Sequence, residues 1–288
     1  MAIDVLQDKI RKRKNALVVD FSLPMEQLPP HLRDMEPVAA FTQFCKELMA
    51  GLKGKIAGVR FSFGQFALMG DGGLSALSEL LTLAHTQDYY VLLDSSEVLT
   101  PWAADRAAAA FFGENSRFFC DGLIVSPYIG TDAIKPFVPY CKDNRKDLFM
   151  AVRTPNKSAA ELQDLLTGTR LVHTAAVDLL LRQGENILGR CGYSHVGALA
   201  CAGSSLSNLR TKYKRLFLLV DGYDYPSGNA KNASLGFDRL GHGAAVCVGP
   251  AVTAAWLTAE TDGLDYAEQA VMAAERIQKN ISRYVSIM

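Results

Sequence analysis

Polar side chains that could do chemistry follow the ends of a series of short apolar runs. Asp20, Arg60 and Asp94 each come at such an end, and they bring one cation and two carboxylates to comparable positions. Other polar or thiol side chains occupy the remaining ends: Ser22, Ser62, Ser95, Ser96, Ser126, Tyr128, Arg153, Thr154, Ser194, His195, Asp221 and Cys247. Carboxylates, hydroxyls and imidazoles move protons, and arginine forks bind anions. The pattern predicts a polar site that carries both signs of charge.

Simpler explanations stand beside the functional ones. Asp94 and Arg60 fit either a catalytic pair or a structural ion pair, and the structural pair is favoured because ion-pair networks are common at such positions. His195 fits a general base, but a single histidine within a strand is more often a core residue with satisfied hydrogen bonds. His173 and His242 are predicted to face solvent.

The apolar runs alternate with helical segments. We predict eight strands, over residues 16–22, 55–63, 88–94, 119–126, 148–154, 192–197, 216–221 and 243–248. Helices are predicted over 2–14, 36–53, 72–86, 101–112, 131–142, 158–182, 203–214, 229–240 and 263–285.

The strands are apolar along nearly their whole length, which is typical of a parallel sheet covered on both faces. Eight successive strand–helix units predict an α/β fold, a (β/α)₈ TIM barrel with an extra N-terminal helix and a C-terminal helix. No linker-like segment interrupts the chain, so we predict a single domain over residues 1–288. Residues 16–22 should pair with residues 243–248 to close the barrel.

Composition excludes several classes of protein. The 288 residues are 49% hydrophobic and 21% charged, which is typical of a globular chain rather than a disordered one. Thirty basic and thirty acidic residues cancel, so we expect no nucleic-acid partner. We find no membrane-spanning stretch and no signal peptide, and we expect a cytoplasmic protein. The six cysteines form no CxxC pair, which favours reduced thiols and no metal site.

Three segments carry a resemblance to a known family. Residues 121–130 (DGLIVSPYIG), 151–156 (AVRTPN) and 195–198 (HVGA) resemble the longer bacterial subfamily of orotidine 5′-phosphate decarboxylases. The resemblance implies a (β/α)₈ homodimer that binds a small molecule at the barrel mouth. It also implies conversion of orotidine monophosphate (OMP) to uridine monophosphate (UMP) and CO₂ in pyrimidine biosynthesis, without cofactor or metal.

The catalytic motif of that family is altered in this chain. The family has D-x-K-x-x-D after strand three and a lysine at the end of strand two. Asp94 matches the first aspartate, but Ser96 and Leu99 stand at the lysine and second aspartate positions, and Arg60 stands at the strand-two lysine. Asp94, Ser96 and Arg60 are therefore the family-equivalent catalytic positions. A serine is not a cationic proton donor, and arginine stays protonated in proteins.

The positions that bind substrate in the family also differ. Asp221 and Asp224 lie in the loop that grips phosphate in the family, and Gly249-Pro250 lacks the family's arginine. The family-equivalent substrate-binding positions are Ser22, Leu99, Ser126, Pro127, Thr154, Asn156, Asp221, Gly228 and Gly249. Three hypotheses follow: a decarboxylase with weak or lost activity, an inactive binding or regulatory protein, or a barrel enzyme with a different, unphosphorylated substrate.

Overall fold

Eight parallel strands close into a barrel in the computed structural model, which describes residues 2–95, 98–143, 146–226 and 228–287. The strands, in chain order β1 to β8, are Leu17–Asp20, Gly58–Ser62, Tyr90–Asp94, Gly122–Val125, Asp147–Arg153, Val196–Cys201, Leu218–Asp221 and Ala244–Val248. Each strand pairs with its neighbours in chain order, and β1 pairs with β8 through Leu17 and Val246. The predicted TIM barrel and its closing strand pair are confirmed.

Helices surround the barrel and connect its strands. Their bounds are Ala2–Arg13, Pro30–Arg33, Pro37–Leu52, Phe63–Ala67, Gly70–Thr86, Pro101–Phe112, Val138–Asp143, Val172–Gly184, Ser204–Lys212, Ala230–Ser234, Pro250–Thr253, Ala255–Thr258 and Tyr266–Ile281. Short 3₁₀ turns cover Met25–Gln27, Gly130–Ala133, Lys135–Phe137 and Lys157–Glu161. Among the helices of the described residues, none has both the length and the apolar character that crossing a bilayer requires.

The N-terminal helix Ala2–Arg13 covers the amino ends of the strands. It buries Ile3, Leu6 and Ile10. Its Asp4 carboxylate accepts a hydrogen bond from the backbone N–H of Cys191, and its Gln7 side chain accepts one from Gly243. Both donors belong to segments that lead into strands, so this helix closes the bottom of the barrel.

The sixth strand lies four residues later than predicted. We expected residues 192–197, whereas β6 is Val196–Cys201. Gly192 has a φ of 85°, a left-handed conformation that an extended strand does not adopt. Ser194 and His195 therefore lie at the amino end of the strand, not at the mouth, and Cys201 takes the carboxyl-end position.

Three predicted helices are interrupted. Residues 158–182 form a 3₁₀ turn, a hairpin of Leu166–Thr167 with Arg170–Leu171, and a shorter helix. Gly168, with a φ of 63°, supplies the tight turn of that hairpin. Residues 131–142 are divided between two 3₁₀ turns and the short helix Val138–Asp143, and the 229–240 helix ends at Ser234. His173 is buried rather than solvated, and its Nδ1 lies 2.9 Å from the carbonyl oxygen of Gln163.

Glycines inside the barrel make room for aromatic rings on the neighbouring strands. A Cβ at Gly122 of β4 would lie 2.7 Å from Tyr90 Oη, and one at Gly197 of β6 would lie 2.7 Å from the ring of Phe149. Tyr90 of β3 and Phe149 of β5 therefore occupy space that side chains at Gly122 and Gly197 would need.

A buried polar network occupies the amino-terminal end of the barrel. Tyr90 Oη donates to Asp147 Oδ2 at 2.5 Å, and His195 Nδ1 lies 2.6 Å from Asp147 Oδ1. Asp147 is fully buried, and this burial raises its pKa to about 6, although the hydrogen bonds from His195 and Tyr90 oppose the rise. The network lies at the end opposite the mouth, and the interpretation of His195 as a core residue agrees with its position.

The raised pKa of Asp147 predicts a pH-dependent stability. Its folded-state pKa lies above its unfolded value, so the stabilisation by the protonated form is complete only below the ordinary pKa of 3.8 and is lost as the pH rises from there through about 6. The loss amounts to about 2–3 kcal/mol in the free energy of unfolding. Asp147→Asn removes this titration, so the variant should gain stability relative to wild type between pH 4 and pH 6.5 in urea unfolding. Tyr90→Phe keeps the carboxylate and should keep the trend. If the free energies of unfolding of wild type and Asp147→Asn differ by the same amount at every pH, the raised pKa of Asp147 is contradicted.

Candidate functional site

A cavity of about 540 Å³ opens at the carboxyl ends of the strands. Most of its lining residues are polar and follow β1, β5, β7 or β8: Asp20, Ser22, Arg60, Thr154, Pro155, Asn156, Asp221, Asp224, Tyr225, Pro226, Cys247, Gly249 and Pro250. In TIM barrels, loops at this end build the ligand and active sites, so this cavity is the candidate functional site.

One arginine lies among three carboxylates at the base of the cavity. Arg60 Nε and Nη2 lie 3.1 and 3.0 Å from Asp94 Oδ2. Its Nη1 lies 3.3 Å from Asp20 Oδ2 and 3.5 Å from Asp221 Oδ2. The three aspartates are the last residues of β1, β3 and β7, so a single guanidinium ties those strands to β2. The predicted Asp94–Arg60 pair is present as an ion pair.

The surroundings shift the pKa values of these groups. Burial alone would lower the pKa of Arg60, but Asp20, Asp221 and Asp94 together raise it well above its usual value. Burial raises the pKa of Asp94, and the charge of Arg60 only partly offsets that rise. Arg60 is therefore held firmly in its charged form, and it is only 13% exposed.

A fourth carboxylate comes from the loop after β7. Asp224 Oδ2 accepts the backbone N–H of Gly249 at 2.7 Å, and Asp224 Oδ1 accepts that of Ala251 at 2.7 Å. Burial raises the pKa of Asp224 and the nearby Asp20 and Asp221 add to the rise, while the two backbone hydrogen bonds oppose it. Asp224 thus adds a fourth carboxylate to the mouth, in contact with backbone N–H groups.

The remaining wall of the cavity is a hydrogen-bonded polar turn after β5. Thr154 Oγ1 donates to Asn156 Oδ1 at 2.6 Å, and Gln163 Nε2 donates to Thr154 Oγ1 at 2.9 Å. Arg153, the residue before this turn, pairs with Asp164 through two bonds of 2.9 Å. Its charge is already compensated, and Arg60 is the one cationic side chain among the described residues that line the cavity.

The structure gathers only part of the predicted site. Six of the predicted positions line the cavity: Ser22, Arg60, Thr154, Asn156, Asp221 and Gly249. Asp94 reaches it through Arg60. Four others do not line it: Leu99, Ser126, Pro127 and Gly228. Leu99 is 70% exposed on the loop after β3, and Ser96 lies outside the described residues.

Other lining residues were absent from the predicted set of site positions. The positions of Asp20 and Cys247 at or near strand ends predict rim residues, and for Asp224 the sequence predicts only a negative charge near the phosphate loop. Tyr225 and Pro226 carry no chemical signal in the sequence. Within the described residues, no group of three or more histidine, cysteine or acidic side chains is arranged to hold a metal ion.

Removing the guanidinium should destabilise the barrel mouth in a pH-dependent way. Arg60→Met leaves Asp20, Asp94 and Asp221 without a counter-charge, which should lower the free energy of unfolding by about 3 kcal/mol at pH 7. The loss should be smaller at pH 4, where carboxylates begin to take up protons. Arg11→Met, at an exposed i,i+3 pair, is the matched control, with a change below about 0.5 kcal/mol. Equal losses at both pH values would contradict the charge argument.

Comparisons with known proteins identify the family. The chain is 30% identical over 235 residues to orotidine 5′-phosphate decarboxylase of Rhodopirellula baltica, covering 77% of this chain and 78% of the relative. It is 27% identical to the Clostridium kluyveri protein of the same name, covering 98% and 97%. No family model matches the chain.

Solved structures show the same fold. The OMP decarboxylase of Leishmania donovani superimposes with a TM-score of 0.73 at 22% identity, covering 96% of this chain and 99% of that one. Orotidine 5′-monophosphate decarboxylase of Plasmodium berghei gives a TM-score of 0.73 at 13% identity, covering 98% of each chain. Together with the identity to the Rhodopirellula baltica relative, these matches show that the chain belongs to the orotidine 5′-phosphate decarboxylase family.

Proposed function

We propose that this protein is an orotidine 5′-phosphate decarboxylase-like barrel that has lost efficient decarboxylation and binds a small unphosphorylated molecule at its mouth. The observation that carries the proposal is Arg60, a permanently charged side chain that three carboxylates hold at the base of the cavity. The relatives are named for decarboxylation of orotidine 5′-phosphate, and the proposal concerns how far that reaction persists here.

Proton delivery is the first obstacle to the reaction. When the substrate carboxylate leaves as CO₂, the electron pair of the broken bond stays on the ring carbon, which must then accept a proton. A side chain serves as general acid only if it can release its proton near neutral pH. Arg60 does not, because its neighbours raise its pKa. Ser96 has no ammonium group, and no lysine is present among the described lining residues.

Charge is the second obstacle. Orotidine monophosphate is an anion, and it would enter a cavity lined by the carboxylates of Asp20, Asp221 and Asp224. The guanidinium of Arg60 is already paired with three carboxylates. Two like charges 4 Å apart repel by about 4 kcal/mol near a protein surface. Lost binding energy at a remote group also lowers the rate at the reacting centre, since that energy helps to reach the transition state.

We therefore expect very slow turnover of orotidine monophosphate. Loss of a general acid alone typically costs about 10²–10⁴-fold in rate. Purified protein should fall at least this far below a homologue that has the complete D-x-K-x-x-D motif, measured by the absorbance change of orotidine monophosphate. Turnover within about tenfold of the homologue would contradict the proposal. The double variant Ser96→Lys, Leu99→Asp should restore little, because the acidic cavity is unchanged.

An enzyme with a different reaction is the second candidate. Burial raises the pKa of both Asp94 and Asp224. Asp224 lines the cavity and Asp94 contacts Arg60 at its base, so these two carboxyls are the candidates for proton transfer to or from a bound molecule. Asp94→Asn separates the two candidates once a ligand is in hand. A binding protein would hold that ligand unchanged, whereas an enzyme would convert it and would lose conversion in the variant.

We also propose a homodimer, with the barrel mouths near the interface. Large apolar side chains are exposed in the segments that follow three successive strands: Leu68 after β2, Leu99 and the helical Trp102 after β3, and Tyr128 after β4. Their exposed fractions are 69–83%, which is unusual for such side chains in a cluster.

The assembly can be measured directly. Light scattering at micromolar concentration should report twice the chain mass, and the double variant Trp102→Ser, Tyr128→Ser should shift the protein toward monomer. Met272→Ser, an equally conservative change at an exposed apolar residue of the last helix, should leave the mass unchanged. A monomeric wild type would exclude the dimer.

A further inference from the structure

The loop after β7 places a carboxylate against the backbone that follows β8. We propose that Asp224 sets the charge specificity of the cavity: its carboxylate fills, from within the chain, the place where a phosphate group would bind. The cavity then admits an uncharged polar ligand and rejects a phosphorylated one. The inference rests on the proposed function, in which this cavity is a ligand site.

The position of Asp224 is the first step. TIM barrels frequently bind phosphate with the loops that follow strands seven and eight. Here Asp224 lies in the loop after β7, and its two carboxylate oxygens accept hydrogen bonds from the backbone N–H groups of Gly249 and Ala251 just after β8. The two oxygens take one N–H each at 2.7 Å, the length expected of hydrogen bonds to a charged acceptor. Both N–H groups are therefore occupied by an anion that belongs to the chain.

The cost of displacing Asp224 is the second step. A phosphate would have to break both hydrogen bonds and leave the carboxylate beside Asp20 and Asp221, the two groups that already raise its pKa. Arg60 offers little help, because its guanidinium contacts three other carboxylates. Occupied donors and like charge thus act together against a phosphate, whereas an uncharged ligand meets neither penalty.

The groups left for a ligand agree with this selectivity. Thr154 and Asn156 on one wall, and Ser22 on another, can exchange hydrogen bonds with hydroxyl or amide groups. The carboxylates of Asp221 and Asp20 accept hydrogen bonds from such groups. An uncharged ligand with several hydrogen-bond donors is the class that fits.

Uridine and UMP, which differ by one phosphate, test the inference. Isothermal titration should show that wild type binds UMP no more tightly than uridine. Asp224→Ala frees both N–H groups and removes a charge, so its affinity for UMP should rise at least about tenfold, while its affinity for uridine changes less than about threefold. Asp224→Asn is neutral and can accept from only one N–H, so it should give a smaller rise.

Asp20→Asn is the matched control. It removes one negative charge from the same cavity but leaves Asp224 bound to its two N–H groups. The increase in its affinity for UMP should therefore be less than about a third of the increase in Asp224→Ala. Thermal unfolding establishes that each variant is folded, and Asp224→Asn carries the test if the alanine variant is not.

Three results would overturn the inference. The first is a wild type that binds UMP at least about tenfold tighter than uridine, which needs no variant. The second is a folded Asp224 variant with unchanged affinity for UMP. The third is an increase in the affinity of Asp20→Asn for UMP equal to that of Asp224→Ala, which would assign the selectivity to net charge alone. Turnover of orotidine monophosphate by a wild type that still binds UMP no more tightly than uridine would contradict only the proposed function, because the comparison of UMP with uridine measures binding without chemistry.

Discussion

The contact of Arg60 with three carboxylates is the interaction on which the mouth of this barrel depends. Asp20, Asp94 and Asp221 end three different strands, and a fourth strand supplies the guanidinium that holds them together. Carboxylates brought this close would repel one another without that cation, and an arginine this buried would be costly without them. Each group therefore fixes the charge state of the others. A side chain held in this way orients and attracts, but it does not give up a proton.

The two ends of the barrel use polar groups differently. At the amino ends, Tyr90, Asp147 and His195 are buried, paired with one another and covered by the N-terminal helix. At the carboxyl ends, the charged groups line an open cavity and include more carboxylates than cations. This division is typical of TIM barrels, in which one face contributes stability and the other function. It explains why His195, a residue type that suggests catalysis, belongs to the stability of the fold.

The sequence predicts the barrel well because its strands are buried on both faces and therefore stand out as apolar runs. The sequence-based prediction fails where the local backbone conformation decides where a strand or helix begins and ends. Residues 192–195 resemble a strand by composition, but the left-handed Gly192 delays β6 until Val196. Helical periodicity over 158–182 conceals a two-residue turn at Gly168.

The same contrast, between positions set by the strand pattern and positions set by local backbone geometry, applies to the candidate site. Arg60 and Asp94 are predictable as a pair because each stands at or near a strand end, and strand ends meet at the mouth. The contacts of Asp224 depend on the path of a loop, which residue types do not specify, and the loop after β3 carries Leu99 outward although the family position suggests a ligand contact.

The N-terminal helix has a consequence for how the chain acquires its fold. The hydrogen bonds of Asp4 and Gln7 join residues 187 and 236 positions apart, and β1 pairs with β8 at a similar separation. Other contacts of this helix are nearer in sequence, since Lys9 and Arg13 pair with Asp88. Contacts as distant in sequence as those of Asp4 and Gln7 slow folding. The seating of the N-terminal helix and the closure of the barrel thus both depend on contacts between distant parts of the chain.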